Sequence, residues 1–595
     1  MLPSPWPARL APLLPFLVAC LLYWPCTHFE FIWDDSSYIV GQGALADWTQ
    51  AWHSAWSAYL QGSLIYFRPL PILTLALDIL PDGAAAAAHR SNVLLHAANS
   101  ALVAILSQQL AMHFGHGRRS AAAAALLAGI LYAAHPALIQ TAAWISCRFD
   151  LLLTLLALAF LLADRRLAGK PQRAPGLALL FLLAALCKES AVVLPLLLPW
   201  WRRLFAPAGT PLRQQISGAD FSWLLASGCC YLALRAFALH EFDAVRLPWL
   251  EPAQQLLLVL KSIGGYAALA LLPFGRLDPL HPLLLPVSPL DPEVLAGITT
   301  LVATAWALRS SRPLAALLPC WTLALLPVIN LLRFNLADYE QERFLTLPLV
   351  FVCIGAAQLM LAAVARGGAM RGGSLAVVAG WLAAAVLAIA SYLPAWRSNL
   401  DLWGYALTHH PASPVAQKFA LISLNAAGRS ADAAELGLQL DHHYSQLTPE
   451  VRFGYARSLL EVGQPAEALR QLDLIAQAHG AEEQWHDSVC AEGGWAALSA
   501  GFPAQAESML RAVSQSRADL AEVRYQLGIA LAVQGRGADA QREFERAEQA
   551  APQAAHDWHA RAPALIAHAT SLAQEEHPPI AHPALDQLCR PLLTP

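Results

Sequence analysis

Apolar residues crowd the first two thirds of the chain in runs long enough to leave water. A hydrocarbon core of about 30 Å needs about 20 largely apolar residues per helix. Such runs lie near 8–27, 88–111, 120–138, 150–164, 174–187, 189–205, 221–239, 254–273, 294–309, 314–332, 344–365 and 373–394. The pattern predicts an all-α fold whose residues 1–395 form a polytopic bundle of about 11–12 transmembrane helices. The stretch 174–205, split at Lys188, gives halves that are short for full spans. The first run passes through Leu17-Val18-Ala19-Cys20, which resembles a lipoprotein cleavage box. It continues past Cys20 with many spans to follow, so it reads as a first membrane helix.

Beyond Trp396 the period changes. Gly428, Gly463, Gly501 and Gly535 are separated by 35, 38 and 34 residues, and alanine follows each at +3 and +5: Ala431/Ala433, Ala466/Ala468, Ala504/Ala506 and Ala538/Ala540. A turn glycine followed by a helix with small residues on its packing face, recurring at about 34, predicts a TPR-type α-solenoid over 396–595.

Composition agrees with this division. The chain is 57% hydrophobic and 13% charged, far from the soluble average. Residues 1–395 hold 24 Lys+Arg against 19 Asp+Glu, a balance of +5, whereas 396–595 hold 14 against 23, a balance of −9. The arginines form small clusters between apolar runs, at Arg118-Arg119, Arg165-Arg166 to Arg173, Arg202-Arg203, Arg309/Arg312 and Arg366/Arg371. No basic nucleic-acid patch is among them, so nucleic acid is not an expected partner.

The positive-inside rule keeps those clusters in the cytoplasm. Residues 28–87, 139–149, the Lys188-Glu189 corner, 333–343 and everything after 394 then face outward. Parity demands an even number of crossings between Arg203 and Arg309, yet three apolar segments lie there. The segment 254–273, which contains Lys261 and Gly264-Gly265, is therefore expected to be re-entrant or displaced. The ten cysteines include no CxxC and read as small apolar fillers, with Cys490 and Cys589 the pair an oxidising compartment would join.

Polar chemistry concentrates in the outward segments. Asp34 and Asp35 stand adjacent just beyond the first helix. Such a pair can raise one member's pKa and supply a general base or hold a cation; a solvated acidic turn is the equal alternative. His89, Asn92, His96 and Asn99 share one helical stripe, where hydrogen bonding between helices is the commonest role. His89 and His96 are about 10 Å apart by rise, too far to share a metal easily. The loop from His135 to Asp150 carries Arg148.

Only four lysines occur, and Lys188 and Lys261 sit in apolar stretches, where a cation needs an anionic partner. A lipid phosphate is one such partner; Glu189 is the alternative for Lys188, and snorkelling is expected of Lys261. Asn330, Arg333, Glu342 and Arg343 complete the outer set. Clusters gathered at one membrane face suit an enzyme with a lipid-linked phosphate donor. Cations hold the leaving phosphate while a carboxylate deprotonates an acceptor hydroxyl. A transporter would place ionisable groups near the midplane between internal repeats, and no such duplication is visible.

These residues resemble the GT-C superfamily of membrane glycosyltransferases, in particular the TMTC-like protein O-mannosyltransferases with C-terminal TPRs. The matching pieces are Phe31-x-x-Asp34-Asp35 with Ile39 following, Arg68-Pro69-Leu70, His89-x-x-Asn92-x-x-x-His96-x-x-Asn99, and His135-Pro136 with Trp144, Arg148 and Asp150. Lys188-Glu189, Leu326-Pro327-Val328-x-Asn330 and Glu342-Arg343-x-Leu345-x-Leu347-Pro348 follow in order. Gln140 departs from the glutamate usual after His-Pro, which weakens a second acidic site there, and Thr346 stands where an aromatic is common.

The resemblance implies an inverting transfer of a sugar, mannose in that family, from a polyprenyl-phosphate donor to a protein Ser/Thr hydroxyl on the non-cytoplasmic face. Asp34 or Asp35 is the implied base, with Arg148, Lys188 and Arg343 as phosphate-binding residues. Arg68, His89, His135, Glu189 and Glu342 complete the implied substrate site. No cofactor is assigned, and a divalent metal requirement is left open. The expected partners are the lipid-linked donor, membrane lipid, and a protein acceptor or partner in the TPR groove. Arg-over-Lys and Ala bias suits a GC-rich bacterial gene, hence an inner-membrane protein with periplasmic repeats. Two alternatives stay open: a glycosyltransferase acting on a glycolipid or cell-wall glycan, and a non-catalytic scaffold or transporter with a TPR adaptor.

Overall fold

The structure is a computed structural model that describes residues 10–35, 45, 47–57, 59–61, 64–81, 84–207, 210–239, 250–331, 338–444, 446–479, 483–517, 519–574 and 582–590. Arg333 and Ile39 lie outside the described residues. The chain divides into two compact units, 1–402 and 403–595.

The described residues of the first unit are mainly helical, with one short hairpin, β1 (Tyr59–Gln61) and β2 (Leu64–Tyr66). Its helices are α1 (Leu13–Tyr23), α2 (Trp48–Trp56), α3 (Pro69–Ile79), α4 (Ala85–His113), α5 (Arg118–Ala133), α6 (Ile139–Ala143), α7 (Arg148–Arg166) and α8 (Arg173–Ala185). They continue with α9 (Val193–Arg203), α10 (Gly218–Ala238), α11 (Pro252–Leu271), α12 (Pro292–Arg309), α13 (Leu317–Leu325), α14 (Pro348–Arg366) and α15 (Gly368–Tyr392), and α16 (Asn399–His409) crosses the boundary between units.

Among the described residues, six segments are long and apolar enough to cross a membrane: 85–113, 145–166, 218–238, 252–271, 348–366 and 368–396. A seventh is made if α5 and the segment 136–143, bent by 57°, count as one broken span. These are the apolar helices of a membrane protein, fewer than the 11–12 full spans expected. One of the missing spans has a local cause. Pro319 and Pro327 punctuate the 314–332 run, which becomes a chain of short helical pieces, because proline removes a backbone donor and clashes with the preceding turn. The segment 254–273, expected to be re-entrant or displaced, is the continuous helix α11, long and apolar enough to cross, and among the described residues the bent pair is α5 with the segment 136–143.

Packing distinguishes the two ends of the helices. Arg202 pairs with Asp164 at 2.7 Å and Asp220 at 2.8 Å, which Arg173 joins at 3.1 Å. Arg203 reaches the carbonyl of Ser310 at 2.8 Å, and Arg165 lies over Phe205. Two of the arginine clusters that the sequence places in the cytoplasm, Arg165–Arg173 and Arg202-Arg203, thus meet at one end of the bundle, beside Ser310 of the segment that carries Arg309 and Arg312. At the opposite end Glu30 donates its backbone N–H to Arg397 O at 3.0 Å, and Trp33 donates its own to Asn399 Oδ1 at 2.7 Å. The first polar loop and the exit of the chain from this unit are therefore side by side.

The second unit is a series of helical hairpins: α17 (Pro414–Ala426) with α18 (Ser430–His443), α19 (Pro449–Glu461) with α20 (Pro465–His479), α21 (Glu483–Ser499) with α22 (Pro503–Ser516), and α23 (Ala521–Val533) with α24 (Gly537–Ala550). Each hairpin packs on the next. The four period-setting glycines occupy the turns, with φ of 70°, 75°, 84° and 77°, a region that glycine enters without a Cβ clash.

The +5 alanines Ala433, Ala468, Ala506 and Ala540 are all buried, as expected. The +3 alanines are all exposed, which corrects the expectation that both lie on the packing face. Two residues of a helix turn through about 200°, so both cannot face one neighbour. Helix α25 (Pro552–Gln574) packs on α23 and α24, and α26 (Pro583–Leu588) on α20 and α21. A disulfide joins Cys490 in α21 to Cys589 just beyond α26.

Candidate active site at one end of the bundle

Asp34 and Asp35 are neighbours with opposite surroundings. Asp35 is fully buried and accepts the backbone N–H of Ile32 at 3.3 Å, the backbone N–H of Ser146 at 3.0 Å and the Ser146 hydroxyl at 2.5 Å. It ties the first loop to the start of α7. Burial pushes its carboxyl up to about 7, against the pull of the Ser146 and Ile32 hydrogen bonds. Asp34 is half-buried and lies close enough to Tyr66 and Asp35 to act on both electrostatically.

Trp33 takes φ of 51°, uncommon for a bulky residue, and in that conformation stacks on Trp144 with centroids 4.8 Å apart and planes at 9°. The Arg343 guanidinium lies 4.9 Å from the Trp144 centroid and 4.9 Å from that of Phe344. Its backbone N–H donates to Gln140 Oε1 at 2.8 Å. Gln140 thus serves as a backbone acceptor, a role its neutral amide oxygen fills without adding charge.

The cations of this end differ in what they pair with. Arg148 is buried and donates to Asp78 at 2.7 Å, to Ala88 O at 2.8 Å and to Asn92 Oδ1. Lys188 meets Asp150 at 2.5 Å rather than the adjacent Glu189. Glu189 is gripped instead by Arg68, whose Nε and Nη2 donate to one oxygen at 3.0 and 2.8 Å, and by Arg235 at 3.1 Å. Arg68 also lies 3.9 Å over the Tyr66 ring. Arg343 alone among these has no carboxylate within ion-pair distance among the described residues, and its buried Nη1 has no hydrogen-bond partner.

Tyr66 is the hub. Arg68, Glu189, Arg343 and Asp34 all lie close enough to influence its phenol. The structure therefore gathers Asp34, Asp35, Arg68, Glu189 and Arg343 around Tyr66 and Trp144, with Lys188 within electrostatic reach of Arg68 and Arg343.

His89, His135 and Glu342, expected at the site, meet backbone groups, and His96 and Asn99 bond between helices, the role expected of their stripe. His89 Nε2 contacts Glu30 O at 3.3 Å, His96 Nε2 contacts Ala133 O at 3.2 Å, and Asn99 donates to Leu151 O at 3.1 Å. His135 is buried, with Nε2 against Ala270 O at 3.0 Å and its ring beside Trp381. Glu342 is buried too, accepts the Asp278 N–H at 2.8 Å, and is pushed well above the carboxylate range by burial, Asp278 and Glu340.

A second charged centre went unread in the sequence. Lys261 does not snorkel; it meets Asp291 at 2.7 Å and Glu293 at 2.9 Å. Arg276 also reaches Glu293, and Glu340 lies 3.4 Å from His281. A Cβ on Gly265 would fall 2.0 Å from Glu340 Oε2, so this glycine makes room for the buried carboxyl. The alternation Asp338-x-Glu340-x-Glu342 was the available signal. Among the described residues, no group of three or more His, Cys, Asp or Glu is placed to hold a metal ion.

No protein-family model, curated protein or solved structure matches this chain.

Proposed function

We propose that the chain is an inverting glycosyltransferase of the GT-C type. It moves a sugar, mannose by the resemblance, from a polyprenyl-phosphate donor to a protein Ser/Thr hydroxyl on the non-cytoplasmic face. The observation that carries this reading is the division of labour between the aspartates. Asp35 is buried and held by Ser146, whereas Asp34 stays half-buried beside Tyr66, in a neighbourhood that includes the guanidinium of Arg343, which has no carboxylate within ion-pair distance among the described residues.

In this mechanism Asp34 takes the proton of the acceptor hydroxyl as its oxygen attacks the anomeric carbon from the side opposite the phosphate. The bond from that carbon to the phosphate oxygen breaks, and the electron pair leaves on the phosphate. Arg343 stabilises the charge that develops there, with Arg68 and Lys188 supporting the field. Asp35 is a positioning residue that fixes the loop carrying Asp34.

The second unit, read as a TPR-type solenoid, presents the protein acceptor. Two observations support placing it outside the cytoplasm. The chain leaves the first unit beside the Trp33–Asp34 loop, and the Cys490–Cys589 disulfide suits an oxidising compartment such as the periplasm.

D34N tests the assignment. Loss of a general base costs about 10²- to 10⁴-fold in transfer, with insertion and thermal stability unchanged. Mass spectrometry of envelope proteins and glycolipids, with and without the chain, reads both the product and the acceptor class. If D34N inserts normally and glycosylation continues undiminished, the protein is a scaffold or transporter and the catalytic reading fails.

A further inference from the structure

Two segments of the first unit, 276–282 and 338–342, are joined side by side. Pro282 and Asp338 form an antiparallel bridge, Tyr339 donates its N–H to His281 O at 3.1 Å, and His281 donates its own to Asp338 Oδ1 at 2.9 Å. Glu342 extends this seam by accepting the Asp278 N–H at 2.8 Å. The 338–342 segment also meets α11, where Gln341 donates its N–H to Tyr266 Oη at 3.2 Å and Gly265 leaves the space that Glu340 fills. Arg343 is the next residue, so the seam fixes the point from which its backbone turns toward Gln140 and its guanidinium toward Trp144.

The carboxyls here outnumber the cations. Among the described residues, Asp278, Asp291, Glu293, Asp338, Glu340 and Glu342 gather around Lys261 and Arg276. Lys261 is engaged by Asp291 and Glu293, and Arg276 by Glu293. Glu340, 2% exposed, is left with Arg276 at 3.7 Å and His281 at 3.4 Å, and Glu293, Tyr339, Lys261 and Tyr266 also face it. Glu342, 1% exposed, has His281 at 3.8 Å, and its Oε2 has no hydrogen-bond partner. Asp278, Glu340 and Tyr23 of α1 are the other ionisable groups that face it. Burying a carboxylate without close cations or donors is costly, and the neutral acid escapes most of that cost. Burial and Glu293 accordingly push Glu340 up to about 8, and burial with Asp278 and Glu340 holds Glu342 well above the carboxylate range.

We propose that Glu340 and Glu342 are positioning residues that act as neutral acids: with their protons on, they close 338–342 against 276–282 and set Arg343 beside Trp144, and release of those protons to water opens the seam and takes Arg343 from that place. The seam weakens as pH climbs from about 4.3 toward about 8, because over that range the open form has released protons that the closed form keeps. What Arg343 does when in place rests on the glycosyltransferase reading; the seam itself does not.

Hydrogen–deuterium exchange of the full chain in detergent tests this, with labelling times scaled to the intrinsic base-catalysed rate and peptides covering 276–282 and 338–346 read by mass spectrometry. Between about pH 5 and about pH 8 wild-type protection should fall by at least about tenfold per pH unit, the slope for one proton released on opening. Peptides from α7 should keep theirs. E340Q should remove about a tenfold step per unit, and E340Q/E342Q should leave protection level. Wild-type protection that does not change with pH overturns the proposal, and so does a fall that the amide variants leave as steep. The wild-type arm uses no substitution, so it decides even where the double variant fails to fold. Donor KM, measured alongside, should rise with pH more steeply than kcat falls, and E340Q should flatten that rise. A level KM while the seam opens overturns the role given to Arg343. The exchange readout needs no sugar donor, so loss of the D34N effect leaves the seam standing, and a seam that stays closed leaves the glycosyltransferase reading standing.

Discussion

Arg148 in the first unit and Arg470 in the second each pair with a carboxylate, in opposite surroundings. The Arg148 side chain is 2% exposed and its partner Asp78 17%. Arg470 and Glu467, one turn apart on α20, are 51% and 34% exposed. The contrast extends to their neighbours. In the first unit Lys188–Asp150 and Arg202–Asp164 bridge residues 38 positions apart inside the bundle. Much of the second unit's pairing is between helix neighbours three or four residues apart, such as Arg429–Asp432 and Arg536–Asp539. Buried pairs across a fold fix which helices meet, because an uncompensated charge there is costly. Pairs along one helix face decorate a structure already specified by packing.

Substitutions can break this comparison at both ends. The largest effect is expected from D78A, which strands the buried Arg148 guanidinium. The first unit should lose about 3–5 kcal/mol, read as a drop in its thermal midpoint in detergent. A loss near zero would mean that Asp78 is dispensable and the contrast false.

In the second unit the strongest single constraint is covalent. C490S/C589S opens a link between residues 99 apart and should cost about 2–4 kcal/mol, measured by denaturant unfolding with tryptophan fluorescence.

A smaller, pH-dependent effect belongs to the loop before α14. Burial and the neighbouring Glu293 push the Glu340 carboxyl up to about 8. Because the folded value is raised, its contribution to stability is complete below the ordinary glutamate value of about 4.3. It is lost as pH climbs toward about 8 and is gone above that. Between about pH 5 and about pH 9 the first unit's thermal midpoint should fall by a few degrees, and E340Q should flatten the upper part of that fall. The least effect is expected from R470A, at most about 0.5 kcal/mol in the same denaturant assay as the disulfide variant.

Legibility in the sequence follows the same line. The turn glycines and +5 alanines of the hairpins could be read because their causes are local: a φ open to glycine and a fixed helical period. The +3 alanines misled because frequent alanine recurs without packing. In the bundle, the stripe His89, Asn92, His96 and Asn99 was legible as a stripe, yet only the fold shows that Asn92 meets Arg148 and that His89 meets the carbonyl of Glu30. The acid cluster around Glu340 escaped notice because its members come from three separated stretches, 261–265, 276–293 and 338–342.

By itself the sequence determined where apolar runs and turn glycines fall, where arginines cluster, and that two kinds of periodicity meet near Trp396, since hydropathy and glycine act within a few residues. Tertiary structure decided which charges meet. Lys188 has an extended backbone, φ −162° and ψ 141°, which sends successive side chains to opposite sides, so Lys188 faces Asp150 while Glu189 faces Arg68. Asp34 and Asp35 diverge on a helical turn instead, and the one that meets Ser146 is set by the approach of a loop 111 residues away.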